Sequence, residues 1–154
     1  MNIKQIPLTE DKVAIVDNKD YLALSKYKWH FSHGYAKRMG KENGRNKAIY
    51  MHRVIFGIAQ GKDIDHINGD RLDNRKSNLR LATDSQNQAN SRIRVDNTSG
   101  YKGVAKCTNK KKWFAQIQVN KKQIFLGRFS DIKDAVLAYN DAAIFYFGKY
   151  ARIK

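Results

Sequence analysis

Cysteine is nearly missing: Cys107 stands alone in 154 residues. A single cysteine excludes an intrachain disulfide and any multi-cysteine zinc site. Long apolar runs are missing too. No stretch approaches the roughly 18 residues needed to cross a bilayer, and no basic-then-apolar leader opens the chain. A reducing cytoplasm is the expected compartment. Acidic residues are scarce, with 14 Asp+Glu against 30 Lys+Arg and a formal net charge of +16. An excess of that size calls for a polyanionic partner, and nucleic acid is the usual one. A membrane-surface role would need a basic amphipathic helix, and no segment has that pattern. The length allows one ordinary domain or two small ones. At 42% hydrophobic and 29% charged, the composition is neither fibrous nor disordered.

The positive charge is spread out. Residues 1–97 carry 18 basic and 11 acidic side chains, and residues 98–154 carry 12 and 3. Both parts suit phosphate contact, which argues against a basic tail on a neutral body. The joint is expected at 91–100, a polar, aperiodic stretch that ends in the turn signal Ser99-Gly100. There is no internal repeat. Lys110-Lys111-Lys112 reads as a basic turn between strands.

Periodicity gives the elements. Ile6-Pro-Leu and Val13-Ala-Ile-Val16 read as short strands around a polar turn, and Tyr21 to Trp29 fits helix or extended chain. Gly34 to Arg38 and Lys47 to Tyr50 suggest a hairpin about Gly40 and Gly44. Met51 to Ala59 spaces its apolar residues as a short helix. Thr83 with Gln86 three residues on is a capping-box arrangement. Further along, Tyr101 to Cys107, Trp113 to Asn120 and Lys122 to Phe129 are rich in aromatic and β-branched residues and predict three strands. Asp131 to Phe147 predicts an amphipathic helix with Ser130 as N-cap and Gly148 past its end. The fold class expected is α+β. Its C-terminal part is a three-stranded antiparallel sheet with one face covered by the helix and the other, bearing Lys and Gln, left for a partner.

The chemistry concentrates between Ile64 and Asn90. Phosphodiester hydrolysis needs a base for water and a Lewis acid on the scissile phosphate. His66 suits the base, because an imidazole is neutral near physiological pH. Asp65 offers a hard oxygen to Mg2+ or a similar ion, and Asn87 offers a second through its amide. Neighbours on an extended segment point to opposite faces, so a site shared by Asp65 and His66 requires a local twist, or a phosphate across the strand end. Arg71, Arg75, Lys76 and Arg80 lie in the same stretch and suit backbone phosphates, with a solubilising face as the alternative.

The set Asp65-His66, Asn78-Leu79-Arg80, Thr83 and Asn87 resembles the signature of HNH endonucleases, in the variant whose last histidine is asparagine. His52-Arg53-Val54 is similar to the His-Arg-hydrophobic start of that subfamily; His52 itself fits either a structural hydrogen bond or a phosphate contact. The resemblance implies a ββα-metal fold. It implies His66 as general base, Asp65 and Asn87 as ligands of one Mg2+ or Mn2+ per site, no zinc, and Asn78 fixing the loop that orients His66.

Residues 101–154 resemble an APETALA2-type DNA-binding domain. The matching pieces are Tyr101-Lys-Gly-Val104, Lys112-Trp-Phe-Ala-Gln-Ile117, Phe125-Leu-Gly-Arg-Phe129, Asp134 to Ala143 and Phe147-Gly-Lys-Tyr-Ala151. In that family the sheet lies in the DNA major groove, which implies a DNA face at Lys102, Lys106, Gln116, Gln118, Gln123 and Arg128. Arg or Lys bonds guanine and Gln bonds adenine. Trp113 fits DNA packing or the core, and Tyr139, Phe145, Tyr146 and Phe147 are expected to pack. This chain carries Ala105 and glutamines where plant members carry arginines.

The expected organisation is an N-terminal extension over 1–50, an HNH core over 51–90, a linker over 91–100 and a DNA-reading domain over 101–154. The extension either adds DNA contacts through Lys37, Arg38, Lys41, Arg45 and Lys47 or serves as packing. This arrangement resembles phage and mobile-element homing endonucleases acting on double-stranded DNA, in a bacterial cytoplasm if phage-encoded. No membrane and no protein partner is implied. The competing reading is a non-cleaving DNA-binding regulator.

Overall fold

The computed structural model describes residues 3–42, 44–57, 61–108 and 112–153. Ile58 and Ala59 of the expected helix, and Lys110 and Lys111 of the basic turn, lie outside them. The chain is a mixed α+β protein of small antiparallel sheets, divided into two compact units, 1–82 and 83–154. The stretch 91–100 falls within the second unit. No helix among the described residues is long and apolar enough to cross a membrane.

In the first unit, β1 (Ile3–Pro7) and β2 (Val13–Asp17) form a hairpin, followed by α1 (Asn18–Leu24). The ambiguous Tyr21–Trp29 stretch is therefore helical only at its start. A three-stranded sheet follows, built from β3 (His30–Ser32), β4 (Tyr35–Glu42) and β5 (Arg45–Tyr50), with β4 central. Helix α2 (Met51–Phe56) stops at Gly57, whose φ of 98° suits a residue without Cβ. Alternation along β2 turns Ala14 and Val16 inward, where they meet Ile6, Leu24, Trp29, Ala36 and Met51 in one core. Strands β6 (Asp63–His66) and β7 (Leu79–Ala82) pair antiparallel, with Asp65 opposite Arg80 and His66 opposite Leu79.

The N-terminal hairpin braces the loop between β6 and β7. Ile15 donates its N–H to Leu72 O and accepts from Asn74 N–H, both at 2.8 Å, and Lys76 N–H reaches Asp17 Oδ2 at 2.9 Å. Residues far upstream thus fix the loop that follows the Asp-His pair.

In the second unit, α3 (Asp84–Asn90) opens on Thr83 with both halves of the capping box made. Strands β8 (Val104–Lys106), β9 (Trp113–Val119) and β10 (Lys122–Phe129) form an antiparallel sheet with β9 central. Helix α4 (Ile132–Phe147) places Ala135, Tyr139, Ala143 and Phe147 at i, i+4 spacing against Val104, Ala115 and Ile117. Its N-cap is Asp131, which accepts from Lys133 N–H at 2.8 Å, and not Ser130; carboxylate capping also favours the helix dipole. Of the helix aromatics, Tyr139 and Phe147 are buried, whereas Phe145 is exposed. Gly103, at φ 68°, admits no side chain, because a Cβ there would meet the Tyr139 ring and Gln116 O.

Candidate active site

Asp65 and His66 leave β6 on opposite faces and both are buried. On one face, Arg80 directly across the hairpin donates Nε–H to Asp65 Oδ2 at 2.8 Å. On the other, His66 Nε2 lies 3.3 Å from Asn74 Oδ1. The Asn74 amide is oriented by its own Nδ2, which donates to Leu72 O at 3.1 Å. An amide oxygen only accepts, so Nε2 of neutral His66 carries the proton and Nδ1 holds the lone pair. Burial lowers the His66 pKa; the Asn74 bond and the charges of Asp65, Asp70 and Asp73 act against that shift.

Asn78 ties the loop together. Its Oδ1 accepts from Asn68 N–H at 3.0 Å, and its Nδ2 donates to Asn68 Oδ1 at 3.0 Å and Asp73 O at 2.8 Å. Asp73 is buried and held by Arg75 through two bonds of 2.7 and 2.6 Å, which keep its carboxyl below the usual range. Asn78, expected to fix the loop that orients His66, makes its side-chain bonds within that loop, and the atom that meets the imidazole belongs to Asn74.

The structure adds neighbours that the sequence did not single out as a group. His52, 6% exposed, sets its ring edge-on to His66 with centroids 5.2 Å apart. Tyr35 lies 5.4 Å from His52 and 6.2 Å from His66, and Tyr50 lies 5.6 Å from His52. Burial, then repulsion from His66 and Arg53, bring the His52 pKa down to about 3, so this imidazole is neutral at physiological pH. The signal for His52 was its place in His52-Arg53-Val54; Tyr35 and Asn74 had none beyond their residue type.

The expected phosphate-contacting cations have varied placements. Arg80 pairs with Asp65 and Arg75 with Asp73. Arg71 stands 4.6 Å over the Tyr35 ring, and Lys76 is exposed. Asn87 is carried by α3 and belongs to the second unit, where it is half-buried with its N–H on Thr83 O at 2.8 Å.

Within the second unit, the six expected DNA-face residues separate into three groups. Register places Gln116, Gln118, Gln123 and Arg128 on the sheet face opposite α4, together with Phe114 and Phe125. A shallow concavity of 590 Å³ there is lined by Lys112, Phe114, Gln116, Phe125 and Arg128 among others. Lys106 pairs with Trp113 and shares the α4 side of the sheet, its Nζ 5.9 Å from the indole centroid; Trp113 itself packs against the core. Lys102 departs most. Its ammonium lies 2.6–3.1 Å from the carbonyls of Gln88, Ala89 and Ser91 and from Ser91 Oγ, closing the C-terminal end of α3. Those orphan carbonyls carry the negative end of the helix dipole and accept the ammonium's hydrogen bonds, while burial, then repulsion from Arg152, bring the Lys102 pKa down to about 8. Arg152 reinforces them by donating Nε–H to Asn90 O at 2.8 Å.

Comparison with known proteins accords with this geometry. The HNH endonuclease family profile matches residues 49–89, a span running from β5 through α3. An uncharacterized HNH endonuclease of Acanthamoeba polyphaga mimivirus is 31% identical over 147 residues, covering 90% of this chain and 72% of the viral protein. Protein 3.8 of Escherichia phage T7 is 36% identical over 66 residues, 43% of this chain and 54% of the phage protein. No solved structure matches. Similarity to a viral HNH endonuclease over 90% of this chain and 72% of that protein, joined to the family match over the Asp65-His66 hairpin, establishes that the chain belongs to the HNH endonuclease family, whose substrate is DNA.

Proposed function

We propose that the protein is a site-directed DNA endonuclease of the homing type, with a Mg2+- or Mn2+-dependent cutting centre built on His66 and a DNA-reading C-terminal unit of APETALA2 type. The observation that carries the cutting role is the buried His66, whose Nε2–H is committed to Asn74 Oδ1. His66 Nδ1 then takes a proton from water as the water oxygen bonds to phosphorus. The P–O3′ bond breaks and the leaving oxygen takes a proton from solvent water, giving 3′-hydroxyl and 5′-phosphate ends. Lowering of the His66 pKa by burial keeps the base unprotonated at neutral pH.

The family implies a divalent metal, and the donor chemistry fits one. Asp65 carries a carboxylate, the hard oxygen donor that such a cation takes, and its Oδ2 accepts from Arg80. Mg2+ commonly uses one or two protein oxygens and takes the rest from water and phosphate. Asp65 would hold it. Bound there, it supplies Lewis-acid stabilisation of the phosphate and of the departing oxygen. Asn78 holds the loop, and so the Asn74–His66 contact, in place.

Support for the reading role comes from Gln116, Gln118, Gln123 and Arg128 sharing one solvent-facing side of the sheet, with residue types that bond adenine and guanine edges. Lys106 adds charge at the sheet edge, whereas Lys102 is withdrawn from the DNA face by its bonds to α3.

A supercoiled-plasmid assay with Mg2+ and with EDTA tests the cutting role. Metal-dependent nicking or linearisation by the wild type, lost in His66→Ala with DNA affinity retained, is expected. Equal cutting by His66→Ala would remove the imidazole from the mechanism.

A further inference from the structure

Strands β4, β5 and β6 and helix α2 line a groove of 430 Å³ in the first unit. Lys41, Lys47, Arg53 and Lys62 line it, with Tyr50 and Ile64 among its other walls. None of the described residues lining it is acidic. Four cations around one concavity create a positive potential that low-dielectric walls concentrate.

The groove opens beside the His66 face. Ile64 and His66 are two apart on β6 and point the same way. The Tyr50 ring on the wall lies 5.6 Å from His52, which lies 5.2 Å from His66. The N-terminal cations do not act as one group. Arg38 lays its guanidinium 4.0 Å over Tyr27, so its charge serves packing, while Lys41 and Lys47 line the groove.

We infer that this groove is a DNA-backbone site: it seats the phosphates of the strand flanking the bond presented to His66. This rests on the nuclease reading of the His66 site and adds a substrate surface to it. Residues 1–50 then contribute substrate contacts as well as packing, and part of the duplex affinity resides outside the C-terminal unit.

Two measurements on the full chain test it. Val54 lines the groove and is 49% exposed. A photoreactive Val54→benzoylphenylalanine protein should crosslink to a bound labelled duplex, while the same group at Leu22, 75% exposed on α1, should not. Independently, a Lys41→Gln, Lys47→Gln, Arg53→Gln, Lys62→Gln protein should bind the duplex at least tenfold more weakly. Its slope of log affinity against log salt should fall by up to about 3.6, at about 0.9 for each of the four cations removed. Trp29 fluorescence checks its fold. A protein that binds DNA with no Val54 crosslink and an unchanged salt slope overturns the groove assignment while leaving His66-dependent cutting intact. A protein that binds no duplex overturns both.

Discussion

His52 makes the stability of the first unit depend on pH in a calculable way. Its imidazole is buried among Tyr35, Tyr50 and His66, and its pKa falls from 6.5 to about 3. The unfolded chain takes up a proton below pH 6.5, and the folded chain does so only near pH 3. Stability from this group is therefore fully present above pH 6.5, declines as pH falls, and is lost through the folded pKa. At about 1.4 kcal/mol per pH unit, His52 alone costs the folded state roughly 2 kcal/mol by pH 5. His66, lowered in the same direction, adds to the loss. Asp73 does not interfere, because its pKa lies below the usual carboxylate range and it remains ionised at pH 5. The assay is urea unfolding at pH 8 and pH 5, followed by the buried Trp29 in a Trp113→Phe background. A His52→Phe protein, which keeps a ring among its neighbours, should lose about 2 kcal/mol less over the same interval. Equal losses in the two proteins would refute a buried, neutral His52.

Two further outcomes are expected. Replacing Lys102 with Met removes the charge-assisted bonds to the α3 carbonyls. A seven-residue helix has little stability of its own, so a loss of roughly 2 kcal/mol should raise hydrogen exchange in 84–90 about thirtyfold; unchanged protection by mass spectrometry would show that Lys102 does not hold α3. Replacing Asn74 with Leu leaves His66 Nε2–H without its acceptor at a buried position, at a cost of about 1–3 kcal/mol. Single-turnover cleavage at saturating DNA should slow by about tenfold or more with duplex affinity unchanged. A parallel loss of affinity would assign Asn74 to binding.

Local patterns were readable because each depends on neighbours along the chain. Aromatic and β-branched alternation gave β9 and β10, i, i+4 spacing gave α4, and Thr83 with Gln86 gave the start of α3. Where two periods fitted one stretch, at Tyr21–Trp29, packing decided: Leu24 and Trp29 enter the core from a helix and from the turn that follows it. Side-chain partners were less readable. Asn68, Asn74 and Asn78 are equivalent as residue types; the Ile15 bond to the Asn74 backbone fixes the loop, and the Nδ2 bond to Leu72 O turns the Asn74 amide toward His66. Lys102 and Lys106 resembled DNA-contacting lysines by position, yet one caps a helix and the other lies along Trp113.

The sequence by itself determined the excess of positive charge, the periods of the main elements, and the Asp65-His66 pair with its spacing to Asn78 and Asn87. These are properties of residue type and separation, fixed before any distant contact forms. Only the tertiary structure decided which nitrogen of His66 holds the lone pair, that His52 and Tyr35 stand beside it, and that Lys102 serves α3. Such features arise when burial forces each polar group to find a partner, and that partner is whichever one the packed elements bring within reach.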